Sequence, residues 1–318
     1  SDVYKRQILD CPYSFDSDWC EANTMAEAAT VLKWGVERRL EFIEFRLFWE
    51  GSINRAALVE TFGVSVPQAS KDLALYQERA PGNMEYDTRA KRYVSAERFV
   101  LRFLEPDPYI YLSQLRSIAE GSVPASDSWI SVFPGADVAM TPRRDIDIAV
   151  LRKILDATRE GVSIDIFYQS MNKARPDPIW RRITPHAFGY DGFRWHARAY
   201  CHLEHKFKDF LLPRVLDAGA KSEPGELGER DWLWNNYFDV IIGPHPALTA
   251  SQKQVVAKDY GLDHGNDVLT VRYAMLFYVL KRLGLLGDAS KQSPYTQHIV
   301  TINRKETEDA LERAKLQL

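Results

Sequence analysis

Cysteine is scarce in this sequence. The three cysteines, Cys11, Cys20 and Cys201, form no CxxC pair, so no disulfide framework is expected. His202 and His205 follow Cys201, but they lack the further spaced ligands of a zinc site. The motifs GxxxxGK[ST], GxSxG and HExxH are also missing. We therefore expect a protein that is not an enzyme and that holds no metal and no cofactor.

Long apolar runs are missing as well. The longest apolar-leaning stretch, residues 273–286, is interrupted by Lys281 and Arg282 and is too short to cross a bilayer. Residues 1–10 alternate between polar and apolar types, which is not the pattern of a signal peptide. These features predict a cytoplasmic protein with no membrane partner.

A strong overall charge of either sign is absent too, since the formal net charge is -3. The distribution is uneven, however. Residues 152–214 carry 12 basic and 7 acidic side chains and four of the seven histidines. Such a basic segment favours an anionic ligand or nucleic acid as partner. The alternative is a chance excess of charge on a solvated surface.

Apolar content is ample, at 45% hydrophobic and 12% aromatic residues, so the chain can bury several cores. The apolar pattern predicts an α+β fold, because helical spacing dominates the first part and strand alternation the middle. The predicted parts are a tail with a short helix (1–33), three helices with a hairpin (34–96), a helical linker (97–160), a small antiparallel β unit that is a curled sheet or small barrel (161–217), and an α+β unit (218–318).

Residues 34–96 have the pattern of a helix-turn-helix. Asn54 and Ser65 are good N-caps for two short helices, and Gly63 lies in the tight turn between them. Short strands are predicted at residues 84–86 and 92–95, which would form a hairpin beside the helices. A helix-turn-helix followed by a hairpin is a winged helix-turn-helix, whose second helix enters the major groove of DNA.

The start of that second helix and the hairpin carry side chains that suit DNA. Hydroxyl, amide and ammonium groups on the helix can contact base edges and phosphates, and a basic wing can contact phosphates. The alternatives are a simple packing unit or a winged helix that contacts another protein. The candidate DNA-binding residues are Ser65, Gln68, Ser70, Lys71, Arg89, Lys91 and Arg92.

Two long strings within this region carry a resemblance to a known family. They are ERRLEFIEFRLFWEG at residues 37–51 and FGVSVPQASKDL at residues 62–73. Both closely resemble the winged helix-turn-helix of WYL-domain transcriptional regulators, in particular those that control phage-defence operons of the BREX and CBASS kinds. The resemblance implies a double-stranded DNA operator as partner.

The basic segment is predicted to form a β-hairpin, because Asp191–Gly192 separates two alternating runs. Arg194, His196 and Arg198 are two residues apart and share one face, while Trp195 and Ala197 are expected to face the core. A strip of guanidinium and imidazole groups suits phosphate binding. The alternative is an ordinary solvated face of a half-buried sheet.

The string RRITPHAFGYDGFRWHARAYCHLEHKFKDFLLPRV, residues 181–215, resembles a WYL domain, an Sm-like small β-barrel. The triplet that names the domain falls at Trp195, His196 and Ala197, so its tyrosine and leucine positions are replaced. The resemblance implies a pocket for a nucleotide or nucleic-acid effector. The candidate effector-binding residues are Tyr168, Ser170, Arg182, His186, Arg194, His196, Arg198 and Arg214.

The last part of the chain more loosely resembles the extension that follows WYL domains, and this implies dimerisation. A polar linker is expected at residues 218–230, followed by a strand, a helix, one long helix at 267–286, a strand and a closing helix. A dimer also agrees with DNA binding, because two recognition helices on an inverted repeat double the contacts.

Together these features predict a homodimeric repressor of a phage-defence operon that binds an inverted repeat and senses an effector through its WYL domain. Three alternatives remain at this level. They are an effector-dependent activator, a ligand-sensing module that contacts proteins, and a nuclease accessory that would use Asp137, Asp145 and Asp147.

Overall fold

The computed structural model describes residues 34–142, 144–173, 176–262 and 265–316. The tail and short helix expected within residues 1–33 lie outside the described residues. The chain divides into two compact units, one that ends at Met140 and one that spans Thr141–Leu318. Among the described residues, no helix is long and apolar enough to cross a membrane.

The described part of the first unit begins with the three helices and the hairpin that were predicted, and a short strand that was not predicted adds to the hairpin. Asn54 caps the second helix by accepting a hydrogen bond from the Ala57 amide, and Ser65 caps the third by accepting one from the Gln68 amide. Gly63 ends the second helix with φ 63°, a left-handed conformation that glycine adopts readily. The elements are α1 (Trp34–Glu50), β1 (Ser52–Ile53), α2 (Arg55–Phe62), α3 (Val66–Arg79), β2 (Met84–Asp87) and β3 (Arg92–Ser95), with the strands in the order β1-β3-β2.

A buried carboxylate fixes the back of this three-helix unit. Glu44 on α1 is fully buried and accepts hydrogen bonds from the Tyr76 hydroxyl at 2.9 Å and from three consecutive backbone amides. Those amides belong to Arg102, Phe103 and Leu104, at 2.9, 2.6 and 2.7 Å. Asn83 donates to the Tyr76 hydroxyl at 3.0 Å. Burial raises the pKa of Tyr76 well above its usual value, so the phenol stays a donor to Glu44.

The remainder of the first unit packs against α1. A further helix, α4 (Pro108–Ala119), is capped by Asp107, and the Tyr111 ring of α4 stacks on Trp49 at 4.6 Å. Trp129 packs edge-on against Phe42 at 5.5 Å. These aromatic contacts join the segment after the hairpin to the three-helix core.

The second unit opens with α5 (Ile148–Glu160), which Asp147 caps and Gly161 ends. It packs on an antiparallel sheet of β4 (Ser163–Tyr168), β5 (Ile179–Tyr190), β6 (Trp195–Cys201), β7 (Lys206–Leu211) and β8 (Val215–Ser222). The strand order is β7-β6-β5-β4-β8, so β7 and β8 are edges and the described strands do not close into a barrel. The small barrel expected from the sequence is therefore not confirmed.

One predicted boundary in this sheet is wrong. Residues 218–222 belong to β8, which pairs with β4, whereas a polar linker was expected there. Small and polar residues such as Gly219 and Lys221 interrupt the apolar alternation that would predict a strand from the sequence. It forms because β4 offers an unpaired edge whose backbone groups need partners.

The C-terminal part is an α+β unit around a three-stranded sheet of order β10-β9-β11. Its elements are α6 (Trp232–Asn235), β9 (Tyr237–Pro244), α7 (Ala250–Tyr260), β10 (Asp267–Arg272), α8 (Tyr273–Arg282), β11 (Ile299–Thr301) and α9 (Arg304–Leu316). The single helix expected at 267–286 is confirmed only over Tyr273–Arg282 and is wrong in its first six and last four residues. The last four lie in a turn, and the first six belong to a strand. This strand is β10, whose Val268, Leu269 and Val271 pair along β9 before the chain turns directly into α8.

Candidate DNA-binding and effector sites

The predicted recognition residues lie at the start of α3. Ser65 and Lys71 are exposed, whereas Gln68 and Ser70 are half-buried. The Ser65 hydroxyl caps α3, and the Ser70 hydroxyl donates to the Val66 carbonyl at 3.1 Å. The ammonium group of Lys71 therefore extends most freely from this surface.

The side chain of Gln68 is held in one orientation by a hydrogen bond to a buried aspartate. Its amide Nε2 donates to Asp72 Oδ1 at 2.9 Å, and Asp72 is buried in an ion pair with Arg39, whose Nε lies 2.7 Å from Oδ2. One N–H of the amide is thus engaged inside the protein. An amide oxygen can accept from an exocyclic amino group of adenine or cytosine, which is the chemistry expected of a residue that reads bases.

The hairpin forms a basic wing, as predicted. Arg89, Lys91 and Arg92 are all exposed at its tip. The Asp87 carboxylate accepts hydrogen bonds from the amides of Arg89 and Ala90, and these bonds lower its pKa. Lys91 adopts a left-handed φ of 52° in this turn, and the three cations lie within four consecutive residues.

Arg55 is a cation beside this surface that sequence reasoning missed. It is exposed at the start of α2, and its guanidinium Nη1 lies 3.4 Å from the Ser70 hydroxyl of α3. Its position directly after the Asn54 cap was the available signal, because the first turn of a helix-turn-helix lies near the DNA backbone.

In the second unit, the predicted basic face of β6 is buried. Ala197 and Ala199 face the core, as alternation predicts, but His196 and Arg198 on the opposite face are 3% and 0% exposed. Trp195, expected in the core, is half-exposed and packs on Tyr190 instead. The predicted open strip for an anion is therefore wrong for His196 and Arg198, and so is the alternative of a solvated face.

Asp231, the residue that caps α6, forms an ion pair with Arg198 and a hydrogen bond with His186. Arg198 donates from Nε and Nη2 to the two carboxylate oxygens of Asp231, at 2.7 and 3.0 Å. His186 Nε2 lies 3.0 Å from Asp231 Oδ2. Burial alone would raise the pKa of Asp231, but the hydrogen bonds from His186 and Arg198 lower it to about 2. A carboxylate of the chain itself thus occupies the position predicted for an effector anion.

A second carboxylate engages His196 and Arg194. Asp191 Oδ2 lies 2.9 Å from Arg194 Nε and 3.1 Å from His196 Nε2, and Oδ1 accepts from the amides of Phe193 and Arg194. Burial opposes ionisation of Asp191, but these hydrogen bonds lower its pKa to about 2. Of the two basic residues, His196 is buried while Arg194 remains a quarter exposed.

The other candidate effector residues are dispersed. Tyr168 is buried in the core against Phe210, and its hydroxyl accepts from the Leu211 amide, so its ring has no open face for a base. Arg182 is exposed and pairs with Asp165 through two hydrogen bonds. The Gln169 backbone amide donates to the Arg214 carbonyl at 3.0 Å, which places the Arg214 backbone beside the residue that precedes Ser170. The structure therefore does not assemble the eight candidates into one open pocket.

Comparison with known proteins matches each region in turn. Residues 35–117 match the BrxR transcriptional regulator winged helix-turn-helix domain, residues 149–219 the WYL domain, and residues 237–307 the BrxR transcriptional regulator C-terminal dimerization domain. A protein of Stenotrophomonas maltophilia named DNA-binding transcriptional repressor CapW is 39% identical over 88% of this chain and 94% of its own length. The chain belongs to this family of WYL-domain transcriptional regulators.

Further relatives agree with that membership. CapW proteins of Pseudomonas aeruginosa and of Escherichia coli strain KTE188 are each 38% identical, over 88% and 86% of this chain and 93% and 91% of their own lengths. The family resemblance seen in the two sequence strings is thus confirmed, and the winged helix and WYL domains with it.

Proposed function

We propose that this WYL-domain regulator is a homodimeric repressor of a phage-defence operon, of the BREX or CBASS kind, that binds an inverted-repeat operator. Residues 34–96 would bind DNA, and residues 97–160 would form the linker. The sensing unit predicted at 161–217 would extend to 222 with β8, and residues 223–318 would form the dimer interface. A nucleotide or nucleic-acid effector would bind the second unit and release the operator.

The observation that carries this proposal is the basic surface of the winged helix. Lys71 at the start of α3, Arg55 near it and the three cations of the wing are exposed, and Gln68 lies half-buried on the same helix start. The names of the CapW relatives, which describe DNA-binding repressors, agree with this surface. Phosphates would position the protein, and the side chains of α3 would select bases.

The test is fluorescence anisotropy with the DNA directly upstream of the protein's own gene, in a salt series and against scrambled DNA. We expect tight, sequence-dependent binding that saturates at two chains per inverted repeat. Loss of operator binding when an effector is added would indicate a repressor, whereas gain would indicate an activator. Equal binding to scrambled DNA, or none, would contradict the proposal and favour a protein-interaction module.

Two substitutions on α3 separate base reading from phosphate contact. Gln68→Ala should relax the preference at one base pair at which the operator offers adenine N6 or cytosine N4. Lys71→Ala should weaken binding to every sequence and reduce the salt slope by about 1.

The matched controls are Gln77→Ala and Arg79→Ala, which change exposed residues in the last turn of the same helix. They lie about 12 Å further along the axis from Gln68 and Lys71 and should leave both readouts unchanged. If the control variants change base preference and salt slope as much as Gln68→Ala and Lys71→Ala do, the assignment of Gln68 and Lys71 as recognition residues is wrong.

A further inference from the structure

A basic pocket opens where the β5–β6 turn meets the C-terminal end of α8. It is a cavity of about 400 Å³ whose lining includes Phe193 and Arg194 from the turn and Tyr278, Lys281 and Arg282 from α8. Only Arg194 among these residues belongs to the candidate effector set from the sequence. The pocket joins the WYL domain to the C-terminal part within one compact unit.

Positive charge exceeds negative charge in this pocket. Its single lining carboxylate, Asp191, is already engaged by Arg194 and His196. Lys281 and Arg282 are exposed and form no ion pair with any residue that the structure describes. Uncompensated cations that converge on a concave surface favour a ligand with several negative charges, and phosphate is the usual one.

Phe193 adds an apolar contact at the rim. Its ring is 43% exposed, and the guanidinium carbon of Arg144 lies 4.8 Å from the ring centre. A flat aromatic ring among cations is the arrangement that proteins use to stack a nucleic-acid base while they hold its phosphates.

The turn is shaped so that Arg282 can lie directly on it. Gly192 has φ 87°, and a Cβ atom placed there would come within 2.8 Å of the Arg282 guanidinium. A side chain at position 192 would therefore displace the Arg282 guanidinium from its present place over the turn. Arg282 lines the same pocket as Phe193 and Arg194 and is open to solvent there.

We propose that this pocket binds a nucleotide, with its phosphates on Arg194, Lys281 and Arg282 and its base against Phe193. That the pocket binds a nucleotide is independent of the proposed function. Only the role of this nucleotide as the effector rests on the proposed function. The buried face of β6 does not bind the ligand, since Asp231 already pairs with Arg198 there. Its hydrogen bonds instead connect the pocket to the C-terminal helices.

This connection starts at the pocket wall. The Tyr278 hydroxyl donates to Asp209 Oδ2 at 3.1 Å, and Arg198 Nη1 donates to Asp209 Oδ1 at 3.2 Å. Arg198 is the residue that Asp231 holds at the start of α6. A ligand that shifts α8 or withdraws Arg194 from Asp191 would thus change hydrogen bonds between the WYL sheet and the C-terminal helices.

Isothermal titration calorimetry on the full chain without DNA tests the pocket. The probes are ATP, a 5′-phosphorylated tetranucleotide, tripolyphosphate and adenosine. We expect ATP or the tetranucleotide to bind, tripolyphosphate to bind more weakly and adenosine not to bind. The stronger of the first two shows whether the ligand is a free nucleotide or the end of a nucleic acid.

The variant Lys281→Ala/Arg282→Ala should weaken binding of the nucleotide probe at least tenfold, because it removes two charge-assisted hydrogen-bond donors to phosphate. The control Lys258→Ala/Arg313→Ala removes two exposed cations from α7 and α9 and should leave affinity unchanged. Phe193→Leu should weaken the binding of ATP but leave the binding of tripolyphosphate unchanged, because only ATP has a base to stack on the ring.

Absence of binding by every probe at millimolar concentration, or an equal loss of affinity in the control, would overturn the pocket assignment. Nucleotide binding without operator binding would instead leave the pocket standing and contradict the proposed repressor function. The two failures are therefore distinguishable.

Discussion

At the scale of single residues, each of the two units contains a buried carboxylate that joins elements within that unit. Glu44 binds three backbone amides and the Tyr76 hydroxyl in the winged helix. Asp231 binds Arg198 and His186 between the WYL sheet and α6. In each case the negative charge is fully hydrogen-bonded, which is the condition under which a charge can be buried without a large penalty.

Glu44→Gln should therefore destabilise the winged helix. The amide nitrogen of glutamine would face N–H donors, and a charge-assisted set of bonds would be lost, at a cost of about 2–4 kcal/mol in the free energy of unfolding. Urea denaturation measures this change. Glu37→Gln, at an exposed position in the first turn of the same helix, is the control and should cost less than about 0.5 kcal/mol. Similar losses for both variants would contradict this role for Glu44.

Asp231 predicts a dependence of stability on acid pH. Hydrogen bonds from His186 and Arg198 lower its pKa to about 2 in the folded protein, below its unfolded value of about 4. The ionised form stabilises the fold above pH 4, and this contribution of about 2 kcal/mol is lost as pH falls from about 4 to about 2. Urea denaturation at several pH values in that range gives the free energy of unfolding as a function of pH. The slope of this dependence should be smaller for Asp231→Asn than for the natural protein. Equal slopes would show that Asp231 contributes no such linkage.

At the scale of elements, local signals in the sequence account for most of the first unit. The caps at Asn54 and Ser65 and the left-handed Gly63 define α2 and α3 within a few residues, because they satisfy the unpaired backbone groups of helix ends. Strand β8 and the division between β10 and α8 were not predicted, since neighbouring strands decide them and no local pattern does.

The same distinction applies to the sites. The wing and the α3 surface follow from residues close together in the sequence and lie where they were expected. The basic face of β6 was expected to be open. It is buried because Asp231, 33 residues after Arg198, pairs with it, and no local pattern reveals such a pairing. For the same reason the contribution of Lys281 and Arg282 to a pocket beside Arg194 became visible only in the folded chain.

The wing is an element whose contribution can be measured separately. Replacing Arg89, Lys91 and Arg92 together by glutamine should weaken binding to all DNA sequences. The slope of log affinity against log salt should fall by about 0.9 for each phosphate that the wing no longer neutralises, and therefore by up to about 3. The preference for operator over scrambled DNA should stay the same. A variant without this preference would show that the wing reads bases.

At the scale of the whole molecule, operator and nucleotide are expected to compete through the fold. If a nucleotide lowers operator affinity by some factor, the operator must lower nucleotide affinity by the same factor. Tyr278→Phe removes only the hydroxyl that joins the pocket wall to Asp209. We expect the coupling factor between nucleotide and operator to fall towards 1 in this variant, whatever its separate affinities for the two ligands. Anisotropy with and without nucleotide, and calorimetry with and without operator, measure the factor from both sides. Full coupling in Tyr278→Phe would place the transmission outside the Tyr278–Asp209–Arg198 path, since a ligand alters a distant site only through interactions that differ between the two states.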